Sequence, residues 1–81
     1  MKKITQIRVE ILQLLLNEKQ ANPRSNTAGL NLGRIKDNVG SENIDFEMWM
    51  LTGLKLVNRN KSFYQITAKG VLALEESLEY V

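Results

Sequence analysis

The segment Leu56 to Gly70, LVNRNKSFYQITAKG, is the part of the chain whose charged residues most clearly suggest chemistry. Residues 54–69 carry four Lys or Arg and no acid, and Arg59 and Lys61 are separated by a single asparagine. Basic groups grouped in this way neutralise phosphates and release their counterions. We interpret the segment as a candidate phosphate-binding surface; the alternative is that the bases keep an exposed hairpin soluble.

The residue types on which most catalytic and metal sites depend are missing. The chain has no cysteine and no histidine, which removes thiolates, the commonest general base and the commonest metal ligand. Glu75 and Glu76 are adjacent, so on a helix they point about 100° apart and do not form an acid-base pair. Gly29 and Gly33 lack the lysine and the preceding strand of a phosphate-binding loop. We therefore expect no enzyme activity, no cofactor and no metal.

Length and hydropathy place the chain in a broad class. Its 81 residues are enough for one small domain, spanning 1–81. The basic start, Met1-Lys2-Lys3, is followed by Arg8 and Glu10, which interrupt the apolar stretch of a signal peptide, and no run approaches the roughly 20 apolar residues of a membrane span. The absence of cysteine fits a reducing compartment. We expect a soluble cytoplasmic protein with no membrane partner.

Periodicity and capping residues predict two helices separated by a long loop. Apolar residues recur at helical spacing, on more than one side, from Ile4 to about Lys19, which predicts a central core helix. Residues 21–29 gather Pro, Ser, Asn, Thr and Gly and read as a loop. Asn31 can cap a short helix that Gly40 ends in a left-handed conformation. Its inward positions are Leu32, Ile35 and Val39.

A third helix is predicted after Gly40. Ser41 or Asn43 can cap it, and it runs to about Thr52, where Gly53 closes it. Two helices joined by a turn of about three residues suggest a helix-turn-helix.

A hairpin and a last helix complete the prediction. Strands are expected at Leu54 to Asn58 and Ser62 to Ile66, around an Arg59-Asn60-Lys61 turn in which Asn60 takes a positive φ. Period-two alternation turns four residues to one face, namely Leu54, Leu56, Tyr64 and Ile66. Thr67 caps a helix from Ala68 to about Tyr80.

The predicted fold class is α+β and mostly helical, in the order helix, helix, turn, helix, hairpin, helix. This order resembles the winged helix-turn-helix domain. The stretches "LTGLKLV" and "YQITAKGVLAL" look like the end of the recognition helix, the wing and the final helix of small bacterial and archaeal repressors of the MarR and PadR kind. The resemblance covers about Asn31 to Leu78, with Ile4 to Lys19 as the first helix. It implies a helix-turn-helix at about 31–52 and a basic wing at about 54–67.

The resemblance further implies a transcriptional regulator that binds double-stranded DNA. The third helix would enter the major groove while the hairpin tip lies against the phosphates. Apolar residues on several faces of the first and last helices add the expectation of a homodimer. The candidate DNA-binding residues are Arg34, Lys36, Ser41, Asn43, Glu47, Lys55, Asn58, Arg59, Asn60 and Lys61.

The third helix departs from the pattern of a DNA reader. Between Ser41 and Thr52 it has three acids and no Lys or Arg, although phosphates and guanine favour basic residues. Acids in a first helical turn are also explained by the helix dipole. Arg34 and Lys36, on the preceding helix, would supply the basic flank instead.

The third helix also carries two apolar stripes, whereas a half-exposed helix normally buries one. We favour a wide core face that includes the tryptophan. The alternative is a protein-interaction module, an adaptor or a phage- or plasmid-type inhibitor, in which one stripe contacts a partner. The stripes are Ile44, Met48 and Leu51 on one side and Phe46, Trp49, Met50 and Gly53 on the other.

Overall fold

The computed structural model describes residues 4–21, 29–40 and 44–79. This part of the chain is α+β and mostly helical, with four helices and one antiparallel hairpin. The helices are α1 (Ile4–Ala21), α2 (Leu32–Val39), α3 (Asp45–Gly53) and α4 (Ala68–Glu79), and the strands are β1 (Val57–Asn60) and β2 (Phe63–Ile66). No helix in these ranges is long and apolar enough to cross a membrane.

The first helix is the central element of the core, as predicted. α1 packs against α2, α3, α4 and β2. Ile11 and Leu15 are at most 1% exposed, and they belong to one buried cluster that includes side chains from every other element. The buried core consists of Ile11, Leu12, Leu15, Leu30, Ile35, Val39, Ile44, Met48, Leu51, Val57, Ile66 and Leu74.

The capping residues predicted for α2 and α4 are confirmed. The Asn31 side chain accepts a hydrogen bond from the backbone N–H of Arg34, and Gly40 ends α2 at φ 74°. The Thr67 hydroxyl accepts a hydrogen bond, 3.0 Å long, from the backbone N–H of Gly70.

The start of α3 differs from the prediction. Its N-cap residue is Ile44, which makes no side-chain capping hydrogen bond, rather than Ser41 or Asn43. Ile44 is fully buried, so packing against the core rather than capping sets where this helix begins. Ser41 and Asn43 themselves lie outside the described residues.

α3 ends at Gly53, within one residue of the predicted end, but Gly53 is not the residue that closes it. Gly53 is helical, and the residue in the left-handed conformation is Lys55, at φ 67°. The N–H of Lys55 donates to the carbonyl of Thr52 and that of Leu56 donates to the carbonyl of Leu51, the two bonds of a Schellman motif. This motif uses the residues assigned to the first strand, so Leu54 and Lys55 form a turn instead.

The hairpin is consequently shifted along the chain. Val57 pairs with Ile66 and both are buried, so Val57, rather than Leu54 or Leu56, is the strand residue that faces the core. Arg59 and Asn60 belong to β1, and the positive φ of the tip, 58°, is at Lys61.

Candidate interaction surface

The two apolar stripes of α3 have different environments. Ile44, Met48 and Leu51 are at most 3% exposed, whereas Phe46 is 50% exposed and Trp49 is 69% exposed. The preference for a wide core face that includes the tryptophan is therefore wrong. α1 and β1 pack against one side of this short helix, and the other side remains exposed.

The exposed stripe forms an ordered aromatic surface. The rings of Phe46 and Trp49 stack with centroids 5.9 Å apart and an interplanar angle of 26°. Asp45 is exposed, and it lies four residues before Trp49, one helical turn away on the same side of α3. From Asp45 to Gly53 the helix carries two acids and no base.

A cleft separates this surface from the hairpin. Its volume is about 230 Å³. Asp45 and Trp49 lie on its α3 side, and Arg59 and Tyr64 lie on its hairpin side. Leu32, Met48 and Thr52 complete the lining.

The Arg59 side chain is oriented by the hairpin itself. Its Nε donates a 2.9 Å hydrogen bond to the carbonyl oxygen of Lys61, and its guanidinium carbon lies 5.9 Å from the centre of the Tyr64 ring. Arg59 and Tyr64 are directly opposite each other in the strand register, which places both side chains on one face of the hairpin. The hairpin side of the cleft is therefore basic, while the α3 side is acidic.

Two sets of hydrogen bonds tie the hairpin to neighbouring segments, one before α2 and one after α3. Leu30 forms an isolated bridge with Tyr64: the N–H of Leu30 donates to the Tyr64 carbonyl over 3.1 Å, and the N–H of Tyr64 donates to the Leu30 carbonyl over 2.9 Å. A side chain at Gly29 would collide with the Tyr64 carbonyl oxygen, so this approach requires glycine. On the other side, the Thr67 hydroxyl interacts with the carbonyl oxygens of Lys55 and Leu56.

Several candidate DNA-binding residues are on the surface. Arg34 is exposed on α2, Lys36 is half-buried, and the bases of the turn and hairpin are exposed. Their roles at DNA stay predictions. The exposed turn and hairpin residues are Lys55, Asn58, Arg59, Asn60 and Lys61.

The structure corrects one of these candidates. Glu47 is 6% exposed, so the expectation that it points outward to read bases is wrong. Glu47 lies one position from Met48 in α3, on the side that packs into the core. Ser41 and Asn43 cannot be placed, because both lie outside the described residues.

The cleft residues to which sequence analysis gave no role in a site are Leu32, Met48, Thr52 and Tyr64. The available signal was the spacing of Asp45 and Trp49, four residues apart on one helix. The Leu30 bridge, which fixes Tyr64 beside the segment before α2, has no local sequence pattern.

Comparisons with known protein families, with characterised proteins and with solved structures found no match to this chain.

Proposed function

We propose that this chain is a winged-helix-like protein-interaction domain that binds its partner through the exposed stripe of α3. The observation that carries this proposal is the stacked Phe46 and Trp49 pair, with half or more of each side chain exposed. The element order, three helices, a hairpin and a final helix, supports the winged-helix part of the proposal.

The composition of this surface fits a protein better than a nucleic acid. Aromatic residues are enriched in the energetically dominant centres of protein interfaces, where a buried Trp is a frequent anchor. The pair is already stacked in the free chain, so little side-chain entropy is lost when a partner covers it. Asp45 on the same side of α3 would repel DNA phosphates.

A peptide selection tests this proposal. A random peptide library is panned on the wild-type chain after depletion on a Phe46→Ala, Trp49→Ala double variant. We expect the enriched peptides to lose about 2 kcal/mol or more of binding free energy on Trp49→Ala, measured by calorimetry.

The matched control is Leu72→Ala, which truncates an apolar residue that is 62% exposed on α4. Binding should not change in this variant. Enriched peptides that bind the wild type and Trp49→Ala equally well, or a selection that enriches nothing, would overturn the proposal.

A second candidate function, a regulator that binds double-stranded DNA, is favoured by one observation. The exposed bases Lys55, Arg59 and Lys61 follow one another along the turn and hairpin with no acid between them. In an anisotropy titration with random duplex, Arg59→Ala plus Lys61→Ala should lower the slope of log affinity against log salt by about 2, roughly 0.9 per lost phosphate contact.

The charge-conserving variant Arg59→Lys plus Lys61→Arg is the control for this titration, because it should keep the wild-type slope. An unchanged slope in the double alanine variant would exclude the hairpin from DNA binding. The predicted homodimer stays a prediction; Leu72 on α4 is an exposed apolar residue available for such a contact.

A further inference from the structure

The cleft between α3 and the hairpin is small and chemically polarised. We propose that it receives one cationic side chain, a lysine or an arginine, of the partner protein. This inference rests on the proposed function, since it identifies the chemistry that the partner brings next to the aromatic pair.

The size of the cleft favours a single side chain. Its volume of about 230 Å³ lies below the range of roughly 300 to 1,000 Å³ that is usual for pockets holding whole small molecules. An open cleft of this size beside an exposed aromatic pair suits a side chain that projects from a protein docked on α3.

The α3 side of the cleft has two features that recognise a cation. Asp45 supplies a carboxylate, and Trp49, one helical turn later, supplies an exposed indole face. A cation over an indole gains electrostatic attraction to the ring, and a carboxylate beside it adds a charge-assisted hydrogen bond. Because both residues line the same cleft one helical turn apart, we expect one ammonium or guanidinium group to contact both.

The rest of the lining suits the aliphatic part of such a side chain. Met48 and Leu32 present apolar surface to the cleft, against which the methylene groups of lysine or arginine can pack. The Thr52 hydroxyl donates to the carbonyl oxygen of Met48, 2.7 Å away, so its hydrogen is already directed at the helix backbone.

Arg59 lies on the opposite side of the cleft, and the proposal predicts the direction in which its removal changes the affinity for a cation. Its guanidinium stays with the hairpin, through the hydrogen bond to Lys61 and the contact with Tyr64. The bound cation would therefore lie near Asp45 and would be repelled weakly by Arg59. Removing the Arg59 charge should tighten binding of a cationic peptide, whereas it should weaken binding of DNA.

The experiment uses defined peptides and the single tryptophan of the chain. Blocked pentapeptides with a central arginine or lysine between glycines are titrated into the wild-type chain, with central glutamine and glutamate as the neutral and acidic controls. The indole N–H resonance of Trp49 is followed by NMR. We expect a saturable shift with arginine and lysine and none with glutamine or glutamate.

Three variants complete the test. Asp45→Asn should weaken binding of the arginine peptide about two- to fivefold, the range expected for losing one exposed ion pair while the cation-π contact with Trp49 is kept. Arg59→Gln should tighten it about two- to threefold, as expected for removing one exposed like charge. Asp37→Asn, the same change at an exposed acid of α2 that does not line the cleft, should have no effect.

Three results would overturn the inference that the cleft receives a cationic side chain. They are equal shifts with the glutamine peptide, no saturable shift with any peptide, and equal affinities of Asp45→Asn and Asp37→Asn for the arginine peptide. A different set of results decides whether the proposed docking on α3 is itself wrong. If peptides from the selection depend on Trp49 but lack lysine and arginine and tolerate Asp45→Asn, the docking surface stands and the inference is wrong. If they do not depend on Trp49, the docking function itself is wrong.

Discussion

The aromatic rings of Phe46 and Trp49 are stacked on the outside of α3, 5.9 Å apart, while Met48 between them in the sequence is 3% exposed. One short helix therefore presents a core face and an outward aromatic face. This division predicts different consequences for truncations at neighbouring positions.

Trp49→Ala should change the free energy of unfolding by less than about 1 kcal/mol, because most of the indole contacts solvent. Met48→Ala is the control, since removing a buried methionine side chain should cost about 2 to 5 kcal/mol. Thermal and urea unfolding of both variants provide the comparison. A loss of stability in Trp49→Ala as large as that in Met48→Ala would contradict the exposed position of the indole.

The left-handed conformation of Lys55 predicts that Lys55→Gly stabilises the protein. The left-handed conformation costs a residue other than glycine roughly 1 kcal/mol of conformational free energy. Glycine would avoid this cost and would keep the backbone hydrogen bonds of the Schellman motif. Lys36→Gly, in the last turn of α2, should instead cost about 1 kcal/mol, the usual penalty for glycine in a helix. Opposite changes in urea midpoint are expected, and a loss of stability in Lys55→Gly would refute the prediction.

Replacing Gly70 and Gly53 by alanine should change the stability of the protein in opposite directions. A Cβ at Gly70 would collide with the carbonyl oxygen of Leu56 and would lie 2.8 Å from the Ile66 side chain, so Gly70→Ala should push α4 away from the hairpin. We expect a cost of about 1 to 3 kcal/mol, the usual range for overpacking.

The control for Gly70→Ala is Gly53→Ala. Gly53 is helical and a Cβ there meets nothing within 4 Å, so alanine should stabilise the protein by up to about 1 kcal/mol. Calorimetric melting temperatures should move in opposite directions. A shared direction would show that the close approach of α4 to Leu56 is wrong.

Substitutions of Thr67 should reduce the stability of the protein only when they remove the hydroxyl group. The hydroxyl caps α4 by accepting from the N–H of Gly70, and it also interacts with the carbonyls of Lys55 and Leu56. Thr67→Val keeps the shape but removes these bonds, which should cost about 1 to 2 kcal/mol. Thr67→Ser, which keeps the hydroxyl, should retain most of the stability, and equal losses in the two variants would remove the hydroxyl from the explanation.

Sequence analysis succeeded where the physical cause is local. Asn31, Gly40 and Thr67 act on backbone groups within a few residues, so their capping roles are readable from the chain. The long first helix was equally readable, because its apolar residues recur at the helical period.

Sequence analysis failed where distant contacts decide the outcome. The burial of Ile44 in the core, rather than a capping side chain, sets the start of α3. The shift of the first strand has a local cause without a clear sequence signal, because the left-handed residue of the Schellman motif is Lys55 and not a glycine. The burial of Glu47 and the exposure of Trp49 depend on which side of α3 meets the other elements, since both stripes were apolar enough to be core. The cleft is lined by residues of α2, α3 and the hairpin, which are far apart in the sequence.

The bridge between Leu30 and Tyr64 also constrains the order of assembly. β1 and β2 are joined through Lys61 and Ser62, and a local hairpin of this kind closes in about 1 to 10 μs. The bridge instead closes a loop that contains both α2 and α3. The conformational entropy of this loop must be lost before the two hydrogen bonds between Leu30 and Tyr64 can form. Tyr64 lies on the hairpin side of the cleft, so a nascent chain forms the complete cleft only after the ribosome has synthesised the hairpin.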